Sequence, residues 1–381
     1  MLTSPDAAAP ANVLQLISSL TVGGAERLLV DFLTSAASVP AAAQAAAVIN
    51  DEIHSEFAQA VTDTGFPTYL MRRPRGRRHL PYVRQLFGII RRHRIRIVHA
   101  HNDAAKFWAF ACKLRFPYLK IVYTVHGNGD FDRFQPLHLP FHRALVDRTI
   151  AISQSVLDEC LAAGIQNAVL IHNGIPVGRF ATASSLRRPS AVLRLVNVAR
   201  IDHHIKGQDI LIRAVRRCLD AGIDVTCRLI GNASAERPDS LPFLVALVRE
   251  LHLADRIVVL RDRTDIPGLL QEADVFILPS RREGFGLVVL EAMAAGLPVI
   301  VANVDGPAEL VQGGETGLRF EPGSDADLFD KIRSLALDQG KSRRIAGNGR
   351  RFVEDFDISR MRDRYFSLYE EVLHGRPARR G

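Results

Sequence analysis

Short apolar runs and longer amphipathic stretches alternate along most of this chain. Val13 to Ile17, Ala45 to Ile49, Thr68 to Met71, Ile97 to Ala100, Lys120 to Val125 and Thr149 to Ser153 are mostly apolar and short. Such runs predict strands of a buried sheet. Between them, apolar residues recur at helical spacing after the turn in TVGGAERLLVDFL, over Tyr82 to His93 and near Ser155 to Ala163. The pattern then starts afresh. Leu193 to Val198, Val225 to Ile230, Arg256 to Leu260, Val275 to Leu278 and Val299 to Ala302 predict strands, with helices over Gln208 to Leu219 and Leu287 to Ala295. Strands alternating with helices imply parallel, doubly wound α/β sheets. The small, polar, Pro-terminated stretch 181–190, ATASSLRRPS, reads as a linker. Two domains are therefore expected, residues 1–183 and 190–358, followed by a charged helical segment from Ile358 to Leu373.

Candidate chemistry is densest in residues 274–303, DVFILPSRREGFGLVVLEAMAAGLPVIVAN, which read as strand, turn, helix and strand. The helix is apolar all round except at Glu291, so it should be buried, and its carboxylate needs hydrogen-bond donors to offset desolvation. Sugar hydroxyls would serve. Glu283 lies in the preceding loop, and Gly284-Phe285-Gly286 lets backbone N–H groups, with that of Leu287, approach a ligand at the positive end of the helix. An anionic, hydroxyl-rich ligand such as a nucleotide sugar fits both features. A loop glutamate followed by a structural one is the plainer alternative.

Other positions carry weaker signals. Gly23 and Gly24 free the backbone between the first strand and helix to approach a phosphate. Arg200 and Lys206 fall in a polar loop after a strand's carboxyl end, where two cations could neutralise a diphosphate or merely be solvated. His126 opens the loop after Val125 and could be an acid/base group, a donor to a sugar hydroxyl, or a satisfied loop residue. His99, His101 and His126 could suggest a metal, but no ordered set of further ligands accompanies them. Asp130-Phe131-Asp132 has a D-x-D form that recurs at Asp325 and Asp355, so chance explains it; Asp130 is kept only as a weak acceptor-site candidate.

The two glutamates around GFGLVVLEAMAAGLPVI closely resemble the E-x7-E motif of glycosyltransferase family 4, retaining enzymes of the GT-B fold. The resemblance extends to GGAER at residues 23–27, YTVHG at 123–127, and the Arg200 and Lys206-Gly207 loop. It implies two Rossmann-like domains with parallel sheets facing across a cleft, the first completed by a C-terminal helix at about 359–381. It implies that Arg200 and Lys206 contact the leaving diphosphate. Glu283 would hold the transferred sugar, Glu291 the ribose, and His126 the sugar from the other domain. Gly23 and Gly24 would line the donor site, and Glu26 and Arg27 would be helix-surface residues. Arg261 would meet the nucleotide base, and Gly306 and Glu309 match a glycine-rich turn before a helix. The expected reaction moves a sugar, with retention and no required metal or other cofactor, from a nucleoside diphosphate sugar, a UDP-sugar by expectation, to a lipid-linked or cell-envelope glycan. The chain departs from the family at Asn232-Ala233, where a second glycine is usual. GETGLRFEPG, residues 314–323, reads as a hairpin-like loop. A nucleotide-sugar epimerase of the same fold and a nucleic-acid-binding protein are the competing readings.

Composition adds location. At 381 residues, with 47% hydrophobic and 24% charged, the chain can form two cores. Its four cysteines form no C-x2-C pair and read as reduced and buried. Neither a membrane span nor a leader is evident, so a cytoplasmic protein is expected. The net charge of +8 lies wholly in residues 1–190, which hold 21 Lys and Arg against 13 Asp and Glu. Much of it sits in Arg72, Arg73, Arg75, Arg77 and Arg78 and in Arg91, Arg92, Arg94 and Arg96. An anionic membrane surface is the expected partner, and nucleic acid is not, because the clusters lack interleaved aromatics.

Overall fold

Each apolar run between residues 13 and 170 becomes a strand of one parallel sheet. The computed structural model describes residues 12–39, 43–74, 79–127, 129, 138–181, 192–234 and 236–375. The linker at 182–190, Asp130 to Asp132, and Arg75, Arg77 and Arg78 lie outside the described residues. The chain divides into two units, Met1–Gly174 with Ile358–Gly381, and Ile175–Asp357.

In the first unit the order is β1 (Val13–Ile17), α1 (Gly24–Ala37), β2 (Gln44–Asn50), α2 (Ser55–Asp63), β3 (Thr68–Arg73), α3 (Leu80–Arg92), β4 (Ile97–Ala100), α4 (Asp103–Arg115), β5 (Lys120–Val125), α5 (His138–Leu145), β6 (Arg148–Ala151), α6 (Gln154–Ala162) and β7 (Ala168–Leu170). The sheet runs β3-β2-β1-β4-β5-β6-β7, all parallel. Every residue of β1 and β4 is buried, because helices cover both faces of a parallel sheet. The C-terminal helix, Ile358–His374, belongs to this unit. It buries Met361, Tyr365, Leu368, Tyr369 and Val372, one helical stripe, and Tyr365 packs 5.3 Å from Phe32 of α1, ring to ring.

The second unit contains α7 (Val177–Phe180), β8 (Leu193–Val198), α8 (His203–Lys206), α9 (Gln208–Asp220), β9 (Val225–Ile230), α10 (Ser240–Glu250), β10 (Ile257–Leu260), α11 (Ile266–Gln271), β11 (Val275–Leu278), α12 (Leu287–Ala294), β12 (Val299–Ala302), α13 (Asp305–Leu310), β13 (Leu318–Phe320), α14 (Asp325–Leu337) and α15 (Gln339–Phe352). Its sheet runs β10-β9-β8-β11-β12-β13, again parallel. In both sheets strand order reverses beside the first strand of the unit, which is where ligands bind in such folds.

Three local expectations are corrected here. Residues 314–323 form no hairpin: Leu318 and Phe320 are buried and pair parallel with Ile300 and Ala302, so this stretch supplies the sixth strand. Gly306 and Glu309 lie within α13 and not in a turn before it. The loop from Arg200 to Lys206 ends in a helical turn, α8, because Asp202 C=O accepts the Ile205 and Lys206 N–H groups.

Candidate functional site

In the second unit, β8 and β11 are adjacent, with Leu195 opposite Val275, so the loops that leave them emerge side by side. Glycines let these loops touch backbone to backbone. A Cβ on Gly207 would lie 2.0 Å from Pro279 O, and Gly207 also has φ +65°, a left-handed value. A Cβ on Gly306 would lie 2.5 Å from Gly284 O. Arg281 staples the second loop down through a two-pronged bond to Asp209, 2.8 Å on each prong. Nothing in the sequence pattern singled out Arg281, since its partner lies far away in the chain.

That packing brings Lys206 and Glu283 together: Lys206 Nζ donates to Glu283 Oε2 at 2.6 Å, with side chains only 17% and 18% exposed. Arg200 stands in the same loop as Lys206, its side chain 48% exposed and its guanidinium 4.0 Å from the fully buried Asp202 carboxylate. The Glu283 N–H reaches Asp305 Oδ2 at 3.4 Å. α12 begins at Gly286, φ +90°, with no side-chain cap, so backbone donors open its first turn while Phe285 is buried behind them. α12 is buried as expected except for one stripe. Leu287, Val288 and Glu291 are half-buried, so Glu291 is less enclosed than the sequence suggested. Arg261 is exposed after the outer strand β10, where the neighbouring Asp262 N–H donates to Asn232 Oδ1 at 2.8 Å.

The first unit has its own cavity at the switch point of its sheet. About 280 Å³ in volume, it is lined by Ala25, Glu26, His101, Asn102, Asp103, Tyr123, Thr124, His126 and Gly127. Gly24 starts α1 beside it, and Gly23, the extended N-cap, leaves space that the Glu26 carboxylate occupies: a Cβ on Gly23 would lie 2.3 Å from Glu26 Oε2. Glu26 is therefore not a surface residue of the helix. Burial raises its carboxyl above the ordinary value, against the opposing pull of its own backbone N–H and Thr21. Arg27 does stay on the helix side, paired with Asp31 at 3.0 Å.

His99, His101 and His126 form a stacked file, with ring centroids 4.2 Å and 5.8 Å apart. Among the described residues they belong to no metal-binding group, and hydrogen bonds account for the first two. His99 lies between Tyr369 OH and Thr124 Oγ1, 2.7 Å from each, and His101 Nε2 is 2.8 Å from Gln15 Oε1. Burial holds all three imidazoles neutral, His126 at about 4, His99 at about 3 and His101 well below its usual range. Tyr369 and Gln15 escaped the sequence reading because an apolar helix stripe and a buried strand gave no hint of a polar contact between them.

The basic clusters separate. Arg91, Arg92, Arg94 and Arg96 are exposed at and beyond the end of α3, whose Leu86, Ile89 and Ile90 are core. Arg73 is instead engaged with Asn50 Oδ1, 2.8 Å away, and lies over the Trp108 ring.

Residues 22–179 match the family model "Glycosyltransferase Family 4", and residues 182–352 match "Glycosyl transferases group 1". The chain is 33% identical over 218 residues to the glycogen synthase of Mycobacterium tuberculosis, a match that covers 55% of this chain and 51% of that protein. The chain thus spans about half the length of that relative. It is 27% identical over 264 residues to the lipopolysaccharide core biosynthesis mannosyltransferase LpsB of Rhizobium meliloti, covering 67% and 73% of the two chains. The crystal structure of Anabaena Alr3699/HepE in complex with UDP-glucose superposes with a TM-score of 0.81 at 23% identity, over 96% of this chain and 99% of that one. At that identity the likeness concerns the fold, which is GT-B: two parallel-sheet, Rossmann-like units.

Proposed function

The chain belongs to glycosyltransferase family 4, and on that premise we propose that it transfers a sugar from a nucleoside diphosphate sugar to a hydroxyl of a glycan acceptor. The observation that carries this reading is the Lys206–Glu283 pair, with Arg200 in the same loop, at the switch point of the second sheet. A paired cation and carboxylate have complementary partners in a donor: the diphosphate takes the cation and the sugar hydroxyls take the carboxylate.

In the proposed step the bond from the anomeric carbon to the diphosphate oxygen breaks, and its electron pair leaves with the diphosphate. Arg200, Lys206 and the N–H groups at Gly286 and Leu287 stabilise that charge. The acceptor oxygen bonds to the anomeric carbon on the same face, so configuration is retained, and its proton passes to the diphosphate. Glu283 holds the sugar, Glu291 the ribose and Arg261 the base. The cations supply the charge neutralisation, so no metal is called for. UDP-glucose bound to the Anabaena protein supports a UDP-sugar, and the LpsB match supports an envelope glycan. The exposed arginines at and beyond the end of α3, with Arg91 over the Phe116 ring that packs on the exposed Tyr118, suit an anionic membrane surface on which a lipid-linked acceptor would be met.

Incubation with a panel of nucleoside diphosphate sugars and candidate glycans tests this. Nucleoside diphosphate release that depends on acceptor, with NMR of the product showing retained configuration, is expected. An isomerised donor, or no donor consumed under any condition, would defeat it.

A further inference from the structure

Among the described residues, Arg72, Arg94, His252, Asp262 and Asp305 carry a side chain on left-handed backbone. That conformation crowds the Cβ against a carbonyl, so each instance asks for a reason. Arg94 and His252 have the ordinary one. Each lies just past a helix, α3 or α10, and the next N–H closes the end: Ile95 onto Ile90 O at 3.0 Å, Leu253 onto Val248 O at 2.9 Å. Arg72 lies where β3 shifts register against β2, and Asp262 is in an exposed loop.

Asp305 has no helix to close. It opens α13 at φ +38°, directly after the extended Val304, and its Oδ2 accepts from the Glu283 N–H at 3.4 Å. The next residue completes the grip, because Gly306 N–H donates to Glu283 O at 3.3 Å. Both backbone polar groups of Glu283 are thus held by one dipeptide. The approach is close: a Cβ on Gly306 would lie 2.4 Å from Phe285 Cα. The Glu283 side chain meanwhile reaches Lys206.

From this juxtaposition, Asp305 Oδ2 and Gly306 N–H on the backbone of Glu283, we infer that Asp305 is a positioning residue that fixes the backbone from which the Glu283 carboxylate meets the transferred sugar. This rests on the transferase reading, in which Glu283 holds that sugar. Glycine would adopt the left-handed backbone freely, but it would leave the Glu283 N–H without its acceptor. Stability and turnover therefore separate at this position, which a residue serving the fold alone would not allow.

The intact chain is compared with Asp305→Gly and Asp305→Asn. In Asp305→Gly the melting temperature should hold or rise and calorimetric affinity for nucleoside diphosphate should stay within about twofold, while acceptor-dependent turnover falls about tenfold, the scale of one hydrogen bond. Asparagine tolerates the left-handed region and keeps an Oδ acceptor, so Asp305→Asn should restore the rate. Apart from turnover, hydrogen–deuterium exchange at the Glu283 amide should quicken about tenfold in Asp305→Gly and stay slow in Asp305→Asn. A normal rate in Asp305→Gly, parallel losses of rate and nucleotide affinity, or an Asp305→Asn protein as slow as the glycine variant would overturn the inference. If the unsubstituted chain consumes no donor, the transferase reading falls, and amide exchange alone decides whether Asp305 holds Glu283.

Discussion

Lys206 Nζ and Glu283 Oε2 lie 2.6 Å apart, so the two groups expected to meet different parts of a donor neutralise one another. Donor binding must exchange this pair for the diphosphate and the sugar. Glu283→Ala should therefore leave nucleoside diphosphate affinity equal or improved, because Lys206 is released, while turnover falls at least a hundredfold. Calorimetry against steady-state rates separates the two, and parallel losses in both would refute the division.

Lys206→Ala and Arg200→Ala should each cost about 2 to 4 kcal/mol of transition-state stabilisation, the scale for removing one preorganised donor. Lys206→Ala also strands a mostly buried carboxylate, and Arg200→Ala removes the cation 4.0 Å from the fully buried Asp202 carboxylate, so both melting temperatures should drop. Single-turnover rates and thermal melts check both claims; a normal rate removes the residue from the site.

Gly207→Ala puts a methyl 2.0 Å from a carbonyl oxygen at a left-handed φ, and the loss should be about 2 to 5 kcal/mol from overpacking and backbone strain together. Gly268→Ala is the control. Nothing lies within 4 Å of that position in α11, so stability should hold or rise by up to about 1 kcal/mol. Urea titration measures both.

His126 is held at about 4 by burial, with His99, His101, Glu26 and Asp103 around or near it, against about 6.5 in an unfolded chain. A depressed histidine binds its proton more readily unfolded than folded. Its stabilising contribution is complete above pH 6.5 and is lost as pH falls from there toward 4, at about 1.4 kcal/mol per pH unit. His126→Asn should flatten the stability profile in that window. An unaltered slope would mean that His126 titrates normally.

On vesicles rich in anionic lipid at low salt, the chain should co-sediment. Replacing Arg91, Arg92 and Arg94 with glutamine should weaken this by about 1 kcal/mol per charge near the surface. Because Leu86, Ile89 and Ile90 are core, the attachment should vanish at high salt. Salt-resistant binding would point to apolar insertion elsewhere.

The sequence by itself determined the two sheets. Val13–Ile17, Ile97–Ala100, Leu193–Val198 and Val275–Leu278 are strands at the bounds their mostly apolar runs suggested, because strands of a parallel sheet covered on both faces read as near-continuous apolar runs. It also singled out Glu283, Lys206 and His126, each at the carboxyl end of a strand or in the loop beyond it, where periodicity stops and chemistry begins. Only tertiary structure decided what meets what. The Lys206–Glu283 pair, the Arg281–Asp209 staple, and the line from Tyr369 through Gln15 to His101 join residues far apart in the chain. Pattern along a chain reports which face of an element is apolar, not which polar atoms the packing of distant elements will confront. The same limit hid β13, whose three residues are too few to show a period, and Glu26, whose place in the cavity depends on the missing side chain of Gly23.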